Sequence, residues 1–103
     1  MARTFLRNDS ATKVASRAVG YQRGLILQVL GAGTVFFGPD RNPLENTDSS
    51  GIPTAGNLLT SVNGPFILQV WEEDMWCRGS VNGVALEVSS FVVYDKRSQI
   101  GAK

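Results

Sequence analysis

The chain has 103 residues, ten Lys and Arg against nine Asp and Glu, no histidine and one cysteine. That length makes one domain with a single core, and a hydrophobic fraction of 43% argues against wholesale disorder. Without histidine the commonest general base and metal ligand is missing, and Cys77 has no imidazole partner. A thiol protease, a His-based hydrolase and a zinc site of the usual type are therefore excluded.

Residues 1–23 carry Arg3, Arg7, Lys13, Arg17 and Arg23 against Asp9 alone (five basic, one acidic, net +4), and the rest carries five basic against eight acidic residues, net −3. A basic start and a mildly acidic body suit association with an acidic surface or a neighbouring copy, or else solvate an edge strand. No apolar run approaches a membrane span, and the start lacks the apolar centre of a secretory signal. Met1–Phe5 reads as a cytoplasmic start, and one cysteine, with no intrachain disulfide possible, fits a reducing compartment.

Residues 1–11 are polar around Phe5 and Leu6 and form a short strand or an extended N-terminal arm. Lys13–Val19 alternates weakly and reads as an edge strand guarded by Lys13 and Arg17. Gly20-Tyr21-Gln22 turns into two apolar runs, Leu25–Leu30 and Thr34–Phe37, joined by Gly31-Ala32-Gly33. Leu25, Leu27 and Val29 fall on one side of an extended chain, and Ile26, Gln28 and Leu30 on the other. The small linking residues suit a tight loop, so these runs are expected to pair as a central β-hairpin. Phe36 and Phe37 must point to opposite faces. One fills the core and the other is a candidate interface residue.

V-L-G-A-G-T-V-F also resembles the start of a dinucleotide-binding turn, with Gly31 and Gly33 at the first two glycine positions. The third is Phe36, and Gly38-Pro39-Asp40 ends the run where a helix should begin. A bulky Phe blocks the close helix–strand approach that the motif needs, so no cofactor site is read here.

Residues 38–57 are dominated by Pro, Gly, Asn, Asp and Ser without any period, and only Leu44 and Ile52 could pin them down. So long a stretch without regular structure is rare in a small domain. With Asn42-Pro43 and Ile52-Pro53 restricting the backbone, an ordered excursion that contacts something is expected. Short strands follow at Leu58–Val62 and Phe66–Trp71, then the acidic turn Glu72-Glu73-Asp74.

Met75–Val81 and Val84–Tyr94 flank Asn82-Gly83, a strong hairpin signal because both turn residues tolerate positive φ. In that hairpin Val81 would face Val84 and Gly79 would face Leu86. Asp95–Lys103 is a polar tail. Seven or eight short strands and no convincing helix define an all-β chain. The expected fold is an antiparallel β-sandwich or jelly-roll-like open barrel with an extended N-terminal arm. The division is arm 1–11, sandwich 12–95 and tail 96–103.

Trp71 and Trp76 bracket the acidic turn. Large aromatics serve either as core or as interface anchors. Three consecutive carboxylates in a turn cannot converge on one cation, so Glu72-Glu73-Asp74 reads as solvated turn and no metal site is assigned. The basic start has neither an aromatic ladder nor a groove-reading helix, which is too little for a specific nucleic-acid binder.

The order of parts resembles small β-sandwich head decoration (cement) proteins of tailed bacteriophages. The stretches that carry the likeness are Arg23–Val29, Thr34–Gly38, Gly51–Gly56, Phe66–Val70, Met75–Arg78 and Val84–Val88, a pattern of strands and turns. The chain departs from it in lacking an Asn after the first strand, in the long 38–57 segment and in the acidic turn. The resemblance implies a non-enzymatic virion structural protein, often trimeric, seated where capsid subunits meet and strengthening the head.

The expected partners are a major capsid protein and further copies of this chain, as a homotrimer, with no specific nucleic acid, no membrane and no cofactor. The expected place is the outer capsid surface of a virion assembled in a bacterial cytoplasm. Candidate interface residues are Arg3, Phe5, Arg7, Phe36, Arg41, Leu44, Ile52, Trp71 and Trp76, with no catalytic residue. The alternative is a tail or receptor-binding accessory that binds carbohydrate through an exposed Trp71 or Trp76.

Overall fold

Apolar side chains alternate inward along eight short strands, and two stacked sheets enclose them. The structure, a computed structural model, describes residues 2–50, 52–53 and 56–95; the tail expected over 96–103 lies outside the described residues. The strands are β1 (Ala2–Leu6), β2 (Thr12–Ala15), β3 (Tyr21–Leu30), β4 (Thr34–Gly38), β5 (Asn57–Thr60), β6 (Phe66–Leu68), β7 (Met75–Gly79) and β8 (Val84–Asp95). A short helix α1 (Arg41–Glu45) and a 3-10 turn (Ser61–Asn63) complete the elements.

One sheet has the order β1-β8-β3-β6 and the other β2-β7-β4-β5, with every pairing antiparallel. Each strand of the first sheet occupies the same place in the order as its chain neighbour in the second. β1 thus corresponds to β2, β8 to β7, β3 to β4 and β6 to β5. The four crossings lie at one end, where Leu6 pairs with Val84, Leu30 with Ala85, Val35 with Gly79 and Thr34 with Thr60. This is the strand order of a jelly roll, an all-β sandwich as the alternation predicts.

Both expected hairpins are corrected. β3 and β4 lie in different sheets, and so do β7 and β8. Gly31-Ala32-Gly33 and Asn82-Gly83 therefore turn the chain across the sandwich and do not join neighbouring strands. Gly79 faces Val35, and Leu86 faces Val29 and Thr4.

The crossings are laced side by side. The Gly83 N–H donates to the Leu6 carbonyl at 2.8 Å, Gly79 N–H to Arg7 at 3.0 Å and Ser80 N–H to Thr34 at 2.9 Å. The Asn82 side-chain oxygen accepts from Asn8 N–H at 3.0 Å. Gly33 has φ +115°, and a Cβ there would stand 2.6 Å from Val84 Cγ2, so one corner packs against the next without room for a side chain.

Leu25, Leu27, Val29, Val35, Phe37, Leu59, Met75, Cys77, Val84, Leu86 and Val88 form the core, together with Leu6. The segment read as a strand or an arm takes the strand option: Ala2–Leu6 pairs along β8, and Leu6 is 1% exposed. β2 is the edge strand expected near Lys13.

The described part of the 38–57 segment contains a helix the sequence reading missed. Proline at the third position of α1 lies in the first turn, where no intrahelical N–H is needed. Leu44 packs against Gly56, whose φ of +111° and 2.7 Å approach to Leu44 leave no space for a Cβ. Beyond the helix, Asp48 accepts through one carboxylate oxygen from the Ser50 and Ile52 N–H groups.

Candidate functional site

The outer face of the first sheet follows from the same alternation. With Leu25, Leu27 and Val29 turned inward, Ile26, Gln28 and Leu30 turn outward. Register places Phe5, Ala85 and Leu30 in one row across β1, β8 and β3, and Arg3, Glu87 and Gln28 in the next. Ser89, Ile26 and Ile67 form a third row across β8, β3 and β6. Phe5 and Ile67 are exposed, while Ile26 and Leu30 are half-buried. Arg3 is held by Glu87 at 2.6 Å, a surface pair that orients the guanidinium more than it stabilises. The face is half apolar, and its β1 edge is basic.

The outer face of the second sheet is partly roofed. α1 folds back over β7 and β4, and Arg78 ties it down. Its guanidinium donates to the Leu44 carbonyl at 2.9 Å and to the Asn8 carbonyl at 2.8 Å, joining helix, sheet and the β1–β2 crossing. Glu45 accepts from Arg41 at 2.7 Å and from the Ala11 N–H at 3.3 Å. The Arg41 hydrogen bond is the main reason its carboxyl sits below the usual carboxylate range.

Next to the helix is an open cleft of about 410 Å³ lined by Pro39, Asp40, Arg41, Asn42, Asp74 and Trp76, with Pro43 at its rim. Lys13 Nζ and the Arg41 guanidinium lie 5.8 and 5.9 Å from the Trp76 ring centre, within cation–π range. Asp74 accepts from the Arg17 N–H at 2.6 Å, which fixes this side of the cleft to the β2–β3 loop.

The candidates are dispersed by the fold. Arg3, Phe5 and Arg7 lie on and after β1, and Arg7 is paired with Asp9 at 2.9 Å. The Arg7 hydrogen bond holds the Asp9 carboxyl below its ordinary range. Phe37 fills the core, and Phe36 turns to the outer face of the second sheet, opposite Leu58 and Arg78. Arg41 and Trp76 meet in the cleft, and Ile52 is half-exposed in the following turn.

Two candidates are corrected. Leu44 is wholly enclosed by its own chain, because α1 turns it onto the sheet. Trp71 is half-buried against the core, its ring edge-on to Phe37 at 6.4 Å, with its Nε1–H donating to the Asp74 carbonyl. Trp71 is thus an internal prop, while Trp76, equally half-buried, forms one wall of the cleft.

The acidic turn works through its backbone. Buried Arg23 donates to the carbonyls of Trp71 and Glu73 at 3.2 and 3.0 Å, and Ala18 N–H donates to Glu72 at 2.8 Å. Burial, with no acidic or basic neighbour, pushes the Cys77 thiol up, so it stays protonated and inert.

One feature was missed. Leu58, Val62, Phe66, Ile67 and Val70 are all exposed, and all lie on the β5–turn–β6 side of the sandwich. The signal was present in the sequence: no charged residue occurs between Asp48 and Glu72. No protein-family model, curated protein or solved structure matches the chain. The fold and surfaces define an all-β sandwich of jelly-roll order with partly apolar outer surfaces.

Proposed function

We propose that this chain is a non-enzymatic capsid decoration protein. In this reading it binds between major capsid protein subunits on the outside of a bacteriophage head and stabilises the shell as a homotrimer. The observation that carries it is the outer face of the first sheet. Phe5 lies exposed there with Leu30 and Ile26 half-buried beside it, next to an edge holding Arg3 and Arg7, paired with Glu87 and Asp9. Apolar area desolvated at the centre with Arg at the rim is the make-up of a protein–protein contact. The resemblance of its strands and turns to those of head decoration proteins is what points to a capsid partner. A jelly roll alone does not, since one fold hosts many functions.

Cosedimentation with phage heads stripped of their own decoration protein tests the reading. The chain should saturate the heads and raise the temperature at which they release DNA, and Phe5→Asp should abolish both. A folded chain that leaves every such head unbound refutes it.

The Trp76 cleft favours a second reading, a tail or receptor-binding accessory that holds a saccharide. An indole wall with Asp40, Asn42 and Asp74 around it offers a stacking surface and planar hydrogen-bonding groups. Saturable glycan binding lost in Trp76→Ala, without affinity for heads, would decide for it.

A further inference from the structure

The two sides of the sandwich are built differently. On one side the edge strands are β1 and β2, and the cations Arg3, Arg7, Lys13 and Arg17 stand on or beside them. Such charges keep an open strand from pairing with another chain. On the other side the edge strands are β5 and β6, and the chain is free of charge from Ser49 to Trp71. Here Leu58 stands on the outer face of the second sheet. Phe66 closes the seam, its ring 5.9 Å from that of Phe37, and Ile67 stands on the outer face of the first sheet. Val62 (92% exposed) and Val70 (55%) flank them.

We infer that this β5–β6 side is where copies of the chain meet one another. Area is the first argument. The five side chains leave uncovered the equivalent of about three whole large residues, roughly 500 Å² at 150–250 Å² each. A standard interface covers about 800 Å² per partner, of which about 55–65% is apolar, again near 500 Å². A patch of this size is at the upper end of what a monomer exposes.

Self-complementarity is the second argument. Where copies pack about a symmetry axis, side chains close to the axis meet their own equivalents, and like charges brought together there repel. On the β1–β2 side Arg3 and Arg7 are paired with Glu87 and Asp9, and Lys13 and Arg17 add further charge, so close approach there would set ion pairs and cations against their copies, whereas the uncharged side carries no such cost. β6 pairs over only three residues, which offers little backbone ladder, so side chains carry the contact. The inference rests on the self-association in the proposed function and names the surface that makes it, while head binding is a separate property read by cosedimentation.

Size-exclusion chromatography with light scattering tests it, using the full chain over a range of micromolar concentrations. The expected mass is a multiple of the 11.1 kDa chain. Ile67→Lys and Leu58→Lys, each made at an outward position, should raise the dissociation constant at least about thirtyfold and return the monomer. Phe5→Lys on the opposite edge should leave the oligomer intact. Far-ultraviolet circular dichroism identifies any variant that fails to fold, and the other lysine variant then decides. A monomer at every concentration overturns the inference, even one that binds phage heads. So does an oligomer that both folded lysine variants leave unchanged.

Discussion

Leu6→Ala separates a strand built into the fold from an arm that merely lies on it. Leu6 is 1% exposed, its carbonyl accepts from Gly83 N–H, and its Cβ lies 3.3 Å from where a Cβ on Gly79 would stand. The substitution removes three carbons, about 2.4 kcal/mol of transfer free energy at about 0.8 kcal/mol per carbon. The cavity left between two laced corners adds to this, for a total near 3–4 kcal/mol. For a domain of this size the melting temperature should fall by about 12–32 °C at about 4–8 °C per kcal/mol. The neighbouring Phe5→Ala removes a larger side chain that is 66% exposed, and should change stability by less than about 0.5 kcal/mol. Urea unfolding followed by tryptophan fluorescence measures both. Equal, small effects at the two positions would mean that β1 is not part of the cooperative fold.

Arg23→Met keeps the apolar stem and removes the donors to Trp71 and Glu73; it should cost about 2–3 kcal/mol, from two charge-assisted hydrogen bonds. Unfolding curves would show this, and a neutral effect would mean that solvent takes over those carbonyls. Glu45 is held below the usual carboxylate range by Arg41, so its contribution is present at neutral pH and is lost as pH falls through its lowered value. The difference in melting temperature between the natural chain and Glu45→Gln should therefore close below about pH 4; a gap constant with pH refutes the assignment. Cys77 should resist maleimide in the native protein and react at once in denaturant, read by mass spectrometry, because it is fully enclosed and its thiol is pushed up by burial.

The strands were legible because inward and outward alternation is local. Leu25, Leu27 and Val29, or Val84, Leu86 and Val88, declare a buried side whichever strand lies next to them. The lone Phe36/Phe37 choice was legible only as a choice. α1 was not legible, since five residues with a central proline show no period, and its Leu44 is buried only because the 38–57 segment folds back onto β7. The candidate surfaces were harder still. Trp71 and Trp76 look alike in the sequence, and their roles part only when Phe37 approaches one ring and Lys13 and Arg41 the other.

By itself, then, the chain's pattern of apolar and turn residues determined an all-β sandwich, its strand positions and the faces its side chains take. Strand partnership was decided by the tertiary structure alone. A glycine-bearing turn can lay two strands side by side or carry the chain across to the opposite sheet, and Gly31-Ala32-Gly33 and Asn82-Gly83 do the second. In either arrangement the inward residues stay inward, so the local pattern cannot distinguish them. The choice is made by long-range pairing across the whole domain, which sets β3 against β8 and β6 in one sheet and β4 against β7 and β5 in the other.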